Sequence, residues 1–216
     1  MSFLGILFPE RCYKCHIRGV SLCKRCATSL SLAPPLPPGT FAVYNYGQRL
    51  VQDAVWQLKY HTKSELAHAL ALHAAPYIAE YLGYTVQSHQ IEKFVFVPIP
   101  QFASKQRSKG FNQAALLALW WSAAFPHSRV AHLLIKTKQT LPQARLDKVA
   151  RTKNVAHSMQ SRPLDPRLIY IIVDDVTTTG STFTEATRAL RVKGARNICC
   201  IALAHGYKSG NKKGHH

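Results

Sequence analysis

A chain of 216 residues, 47% of them hydrophobic, is long enough for one mid-sized core plus a small appendage and too apolar to stay unfolded. Its formal charge of +18 is uneven: residues 41–100 carry four Lys/Arg against four Asp/Glu, 101–167 carry twelve against two, and 186–216 carry seven against none. Such concentration favours a polyanion or a phosphorylated ligand, but charge alone does not choose among nucleic acid, anionic lipid, a phosphorylated substrate and a merely solvated surface.

In chain order, the opening run Phe3-Leu4-Gly5-Ile6-Leu7-Phe8 lacks a basic start and meets Pro9-Glu10-Arg11 where an export signal needs small residues. No apolar stretch approaches the ~20 residues of a membrane span. The expectation is a soluble, cytoplasmic protein with reduced cysteines. Residues 1–34 form a cysteine-rich module, 35–40 a proline-rich linker, 41–206 the main domain, and 207–216 a basic tail expected to be disordered. Within the main domain, Phe41–Tyr46 reads as a strand, and Leu50–Lys59 and Ser64–Tyr81 as helices with apolar residues three and four apart. Phe94–Pro98 is a second strand, followed by a basic loop and a helix from Asn112 to Ala124. His132–Lys136 is a short strand before a polar, basic stretch. Leu168–Val173 suits a strand buried on both faces of a parallel sheet. The helix Ser181–Lys193 and the strand Asn197–Ala204 complete an α/β alternation of βαβ units, with helices flanking a parallel sheet.

Cys12-x2-Cys15-x7-Cys23-x2-Cys26 presents two thiols from each of two tight turns, a spacing that makes a tetrahedral four-sulfur zinc site. Disulfides and a dithiol redox centre are the competing readings; the first needs an export signal, the second only one pair. Four thiolates leave no open position for water, so the zinc is structural. Around the site, Arg11, Lys14, Arg18, Lys24 and Arg25 either touch a phosphate backbone or are solvated loop charges. Cys199 and Cys200, adjacent in a strand, should point to opposite faces as buried small residues.

The most informative segment is Ile171-Ile172-Val173-Asp174-Asp175-Val176-Thr177-Thr178-Thr179-Gly180-Ser181-Thr182. A buried strand delivers two carboxylates at its carboxyl end, where open α/β sheets bind ligands, and a hydroxyl-rich turn then opens a helix. The N–H groups at that helix start, with the hydroxyls of Thr178, Thr179, Ser181 and Thr182, form a cradle for a monophosphate. Two acids beside an anion site make sense if they accept hydrogen bonds from sugar hydroxyls or help to place Mg2+, as for a ribose 5-phosphate. A helix cap with coincidental threonines is the competing reading. No lysine follows the glycine as in a Walker loop, and the three spaced glycines of a dinucleotide fingerprint are absent.

This segment resembles the phosphoribosyl pyrophosphate loop of type I phosphoribosyltransferases. Val97-Pro98-Ile99-Pro100, Arg107-Ser108-Lys109-Gly110-Phe111-Asn112-Gln113-Ala114 and Leu58-Lys59-Tyr60 resemble the pattern of the ComF family, the ComFC and GntX type. So do Thr140, Gln143, Leu146, Arg151, Asn154 and the leading cysteine pairs, so that the likeness runs from about residue 10 to 205. The resemblance implies a type I phosphoribosyltransferase-like fold, with Asp174, Asp175 and Thr177–Thr182 binding phosphoribosyl pyrophosphate. It also implies a pyrophosphate loop holding Lys105, Arg107, Lys109 and Gly110, Mg2+ sharing the ligand's charge, and a mobile hood over residues 137–160. Asn112 and Gln113 either cap the next helix or hold a ligand, and His157 is a candidate base or a lone solvated histidine. The family implies a part in natural transformation, with single-stranded DNA and competence helicase or DNA-processing proteins as partners. The alternative is an active phosphoribosyltransferase of nucleotide salvage with an unidentified acceptor.

Overall fold

The computed structural model describes residues 10–60, 64–86, 94–101, 111–138 and 157–206. A single turn of helix, α1 (Lys24–Ala27), belongs to the cysteine module. There follow β1 (Thr40–Asn45), α2 (Arg49–Tyr60), α3 (Ser64–Val86), β2 (Phe94–Pro98), α4 (Gln113–Ala124) and the two-residue β3 (Arg129–Val130). The chain then runs through β4 (Leu134–Lys136), β5 (Met159–Ser161), β6 (Ile169–Thr177), α5 (Ser181–Val192) and β7 (Asn197–His205). Five strands form one parallel sheet in the order β1-β7-β6-β2-β3, while β4 and β5 pair separately as an antiparallel hairpin. The α/β class and parallel sheet expected from the sequence are thus present.

Strand period two divides the core between the two faces of the sheet. On one face Val43, Phe96, Ile169, Ile171, Val173, Cys199 and Ile201 pack against α2, α3 and α4, around the fully buried Trp121. On the other, Ala42, Val95, Val97, Tyr170, Ile172 and Cys200 pack against α5 and the β4–β5 hairpin. Cys199 and Cys200 fall on opposite faces, and burial pushes the Cys199 thiol up to about 12, as befits packing residues. The cysteine module joins the first core: Leu30 is buried in it, Tyr13 and Leu22 pack on it, and the Tyr13 hydroxyl donates to the Leu50 carbonyl at 3.2 Å. Residues 31–33 continue that attachment. Ser31 N–H donates to Gln48 Oε1 at 2.8 Å, Ala33 N–H donates to the Val43 carbonyl at 2.9 Å, and Leu32 bridges to Tyr44.

Two connections leave the sheet in opposite directions. From β2 the chain passes through α4 to β3 on one side, and from β6 it passes through α5 to β7 on the other. The carboxyl ends of β2 and β6 therefore flank a switch point, the place where open α/β sheets bind ligands. Pairing between them stops at Pro98 and Val173, whereas β6 runs on beside β7 to Thr177, opposite His205.

The hairpin is fastened to α5 by Glu185, which is 5% exposed. Its carboxylate accepts from Met159 N–H at 2.9 Å and from Arg188 at 2.8 and 2.9 Å, and Arg188 also donates to the Met159 carbonyl. Burial would raise the Glu185 pKa, but these donors outweigh it and hold the carboxyl below its ordinary range. Glu185→Ala would strand these donors, and bonds to charged groups of this kind are worth about 1.5–3 kcal/mol each. Denaturant unfolding should show a lower midpoint with an unchanged slope.

Candidate functional site

Two sites stand out, one at each end of the sequence. In the first, Cys12 begins a short hairpin closed by Cys12 N–H to the Ile17 carbonyl at 2.9 Å and by a bridge between Arg11 and Arg18. The His16 N–H donates to the Cys12 carbonyl at 2.9 Å, closing the turn that holds Cys12 and Cys15, and His16 itself takes a left-handed φ of 59° as the chain leaves that turn. Cys23 caps α1 and Cys26 lies within it, so helical spacing brings the second pair together. The four sulfurs all lie within 4.8 Å of one another, with Cys15 and Cys23 at 3.6 Å, and the Cys23 N–H points at the Cys12 sulfur at 3.5 Å. Burial would raise the Cys12 thiol, but the backbone N–H groups of Cys15, Cys23 and Lys14 outweigh it and bring the pKa down to about 6. Burial and the neighbouring thiols push Cys26 up to about 12. Four sulfurs this close, one already stabilised as thiolate, fit a tetrahedral soft metal ion such as zinc. Among the described residues this is the one His/Cys/Asp/Glu cluster able to hold a metal. Arg11, Lys14, Arg18, Lys24 and Arg25 are all exposed around it.

The second site is the end of β6. Asp174 and Asp175 lie in the strand itself, just past the point where β2 leaves it. Each carboxylate folds back on the backbone, Asp174 Oδ1 accepting from Asp175 N–H at 2.9 Å and Asp175 Oδ1 from Val176 N–H at 2.7 Å. Close packing and the neighbouring Asp175 carboxylate raise the Asp174 pKa well above the ordinary carboxylate range. The turn Thr178-Thr179-Gly180 then reverses the chain into α5. Gly180 takes φ 72°, ψ 0° and accepts the first helical bond from Thr184 N–H at 2.9 Å. A side chain there would meet nothing within 4 Å, so it is the left-handed backbone that calls for glycine. Thr179 Oγ1 donates to Ser181 Oγ at 3.1 Å, gathering two hydroxyls at the helix start. No acid occupies the first turn of α5, so the positive end of its dipole is uncompensated.

The turn borders an open cleft of about 980 Å3, walled also by Pro35–Thr40 and by Phe183, Thr184, Thr187, Arg188 and Arg191 of α5. Asp174, Asp175 and Lys59 are not among its walls. The turn is held from behind by Gly206, whose N–H donates to the Thr177 carbonyl at 2.9 Å. A Cβ at Gly206 would sit 3.2 Å from the Thr178 methyl.

The structure thus brings Asp174, Asp175, Thr177, Thr178, Thr179, Gly180, Ser181 and Thr182 into one continuous strand-turn-helix. Lys105, Arg107, Lys109 and Gly110 lie outside the described residues, as do Thr140, Gln143, Leu146, Arg151 and Asn154. Asn112 proves to be a cap: its Oδ1 accepts from Ala114 N–H at 3.0 Å and its Nδ2 donates to the Ile99 carbonyl at 2.9 Å. Gln113 is 3% exposed and ties Gln101 to the Leu58 carbonyl, a structural bond rather than an open ligand arm. His157 is exposed, with φ 52°, and its backbone N–H helps to hold Glu185. Sequence reasoning missed the partner of Lys59, whose Nζ lies 3.0 Å from Asp175 Oδ2. Only the word Leu58-Lys59-Tyr60 hinted that this helix end mattered.

The chain is similar to Competence protein F of Haemophilus influenzae, 30% identical over 122 residues that make up 55% of this chain. The match spans about half of that protein's length, 53%. The DNA utilization protein YhgH of Salmonella typhimurium is 28% identical over 204 residues, covering 87% of this chain and 85% of that protein. Its namesake from Escherichia coli K12 is 29% identical over 183 residues, covering 81% and 69%. No family model matches the chain. No described helix is long and apolar enough to cross a membrane. Similarity to the DNA utilization proteins extends over most of the sequence and agrees with the resemblance to the ComF family read from its motifs.

Proposed function

We propose that this protein binds a sugar phosphate of the phosphoribosyl pyrophosphate kind at the end of β6 and serves the handling of incoming single-stranded DNA. The observation that carries the ligand reading is the continuous unit of two carboxylates, a left-handed hydroxyl turn and an unopposed helix start, set at the switch point of a parallel sheet. A monophosphate suits the helix start, and sugar hydroxyls suit the carboxylates one strand-end away. Mg2+ would travel with the diphosphate, near the loop of Lys105, Arg107 and Lys109. Zinc, held by Cys12, Cys15, Cys23 and Cys26, would be structural. The names of the relatives, competence and DNA utilization, support the DNA reading and a role in natural transformation, as does the charge.

Calorimetry with phosphoribosyl pyrophosphate and Mg2+ tests the ligand, and isotope-labelled turnover across nucleobases, amines and DNA distinguishes a binding protein from a transferase. For DNA the expected result is an affinity for single strands that falls with salt, at ~0.7 log per log of salt for each phosphate neutralised, and that depends on length more than sequence. Exposed Arg162, Arg191, Lys193 and Arg196 supply positive charge near α5, and Arg145, Lys148, Arg151 and Lys153 supply more in sequence. Neutralising the latter four together should flatten the slope by about 3 if each meets a phosphate. No binding by the wild-type protein at low salt would sink the DNA reading and advance the salvage-enzyme alternative.

A further inference from the structure

The acidic pair of β6 has a cation of its own. Among the described residues, the ion pair to Asp174 or Asp175 is the one from Lys59, with Nζ 3.0 Å from Asp175 Oδ2 and side chains 32% and 16% exposed. Lys59 is not a surface lysine that swung inward. It stands in the last turn of α2, where helix carbonyls lose their helical partners, and the Leu58 carbonyl next to it accepts from Gln113 Nε2 at 3.3 Å. Gln113 in turn accepts from Gln101, just beyond β2, and the Asn112 cap beside it bonds the Ile99 carbonyl. The buried Gln113 amide, on the β2 side of the switch point, therefore fixes the helix end that carries the lysine, while β6 on the other side carries its partner. Burial works against the ammonium, yet Asp175 and then Asp174 outweigh it and hold the proton more firmly than on a free lysine.

Resting on the sugar-phosphate reading above, we propose that Lys59 is a positioning residue that serves as the built-in cation of the acidic pair. It holds Asp175 for a sugar hydroxyl, so that a sugar monophosphate binds without a divalent ion at that carboxylate. Adjacent carboxylates beside an anion are stabilised in their charged form by a nearby positive charge, which a lysine can supply in place of a divalent ion. Any Mg2+ requirement then belongs to the diphosphate, not to the acids.

Ribose 5-phosphate, which lacks the diphosphate, separates the two. With the full-length, zinc-loaded protein, calorimetry in chelator-free buffer stripped of divalent ions beforehand and in Mg2+ should give wild-type affinities within twofold of each other. Lys59→Met should weaken binding at least tenfold without Mg2+ and recover part of it in Mg2+, whereas Lys59→Arg should stay near wild type in both. A wild-type affinity that rises tenfold with Mg2+ overturns the proposal and needs no variant. So does a folded Lys59→Met, judged by its melting curve, that binds as wild type without Mg2+. If wild type binds neither ribose 5-phosphate nor phosphoribosyl pyrophosphate, the sugar-phosphate reading fails and this inference falls with it. Binding of both, with Lys59 immaterial, overturns the inference alone.

Discussion

Replacing Cys12 and Cys15 together by serine is expected to take the zinc content from one ion per chain to almost none and to unfold the segment around the site. Hydroxyl oxygens are poor replacements for soft thiolates, and two ligands do not hold a structural ion. Metal binding in such modules is folding free energy, of order 10–16 kcal/mol, because little else orders them. The described part of the module has few buried apolar groups besides Cys12, Cys26, Ala27 and Leu30, and it leaves Ile17 and Val20 exposed. The loss will not stop at the module, since Tyr13, Leu22 and Leu30 pack into the core shared with α2 and α3. Releasing these three side chains, two of them only partly buried, forfeits about 3–6 kcal/mol, which for a chain of this size is a melting temperature lower by roughly 6–24 °C. The sheet should persist, because its five strands pair without help from the module. Metal analysis beside a thermal melt checks both parts, and full zinc content in the double variant would refute the assignment.

Where sequence and structure agree, the information was local. The run Leu168–Val173 is apolar at every position, and only a strand covered on both faces buries all of it. Phe94–Pro98 ends where proline removes the next ladder donor, and the structure stops it there. The Cys-x2-Cys spacing likewise encodes its own turn. The structure goes further than the pattern in α3, which runs five residues past Tyr81 to Val86. It also carries β6 through both aspartates to Thr177, because β7 continues alongside and carboxylates that bond their own backbone are tolerated at a strand end. β3 and β5, of two and three residues, are too short to show any period. The linkages that organise the candidate site were not legible at all. Lys59 with Asp175, Gln113 with Leu58 and Glu185 with Met159 join residues far apart in sequence, and polarity at one end says nothing of the partner at the other. Asn112 shows the limit well, for its side chain suits a cap and a ligand equally until the Ala114 N–H and Ile99 carbonyl are seen beside it.

Changing Asp174 and Asp175 together to alanine is the second large effect, and it should fall chiefly on the ligand. The two side chains stand where β6 has lost its β2 neighbour, so removing them opens no hole in either core. It even relieves the carboxylate repulsion that helps to drive the Asp174 pKa upward. What is lost is the capacity to accept bonds from sugar hydroxyls, each charge-assisted bond being worth about 1.5–3 kcal/mol. The affinity for phosphoribosyl pyrophosphate in Mg2+ should accordingly fall at least tenfold, since 1.4 kcal/mol already accounts for one decade. The variant also leaves Lys59 without its partner, a positive charge close to an anion site, which offsets some of the loss and makes tenfold the conservative figure. Zinc content and affinity for single-stranded DNA should stay at wild-type values, and the melting temperature should fall only slightly, through the lost Lys59 ion pair and the two lost backbone bonds. A matching loss of thermal stability would mean that the acids are structural, and an unchanged affinity in a well-folded variant would mean that the sugar is held elsewhere.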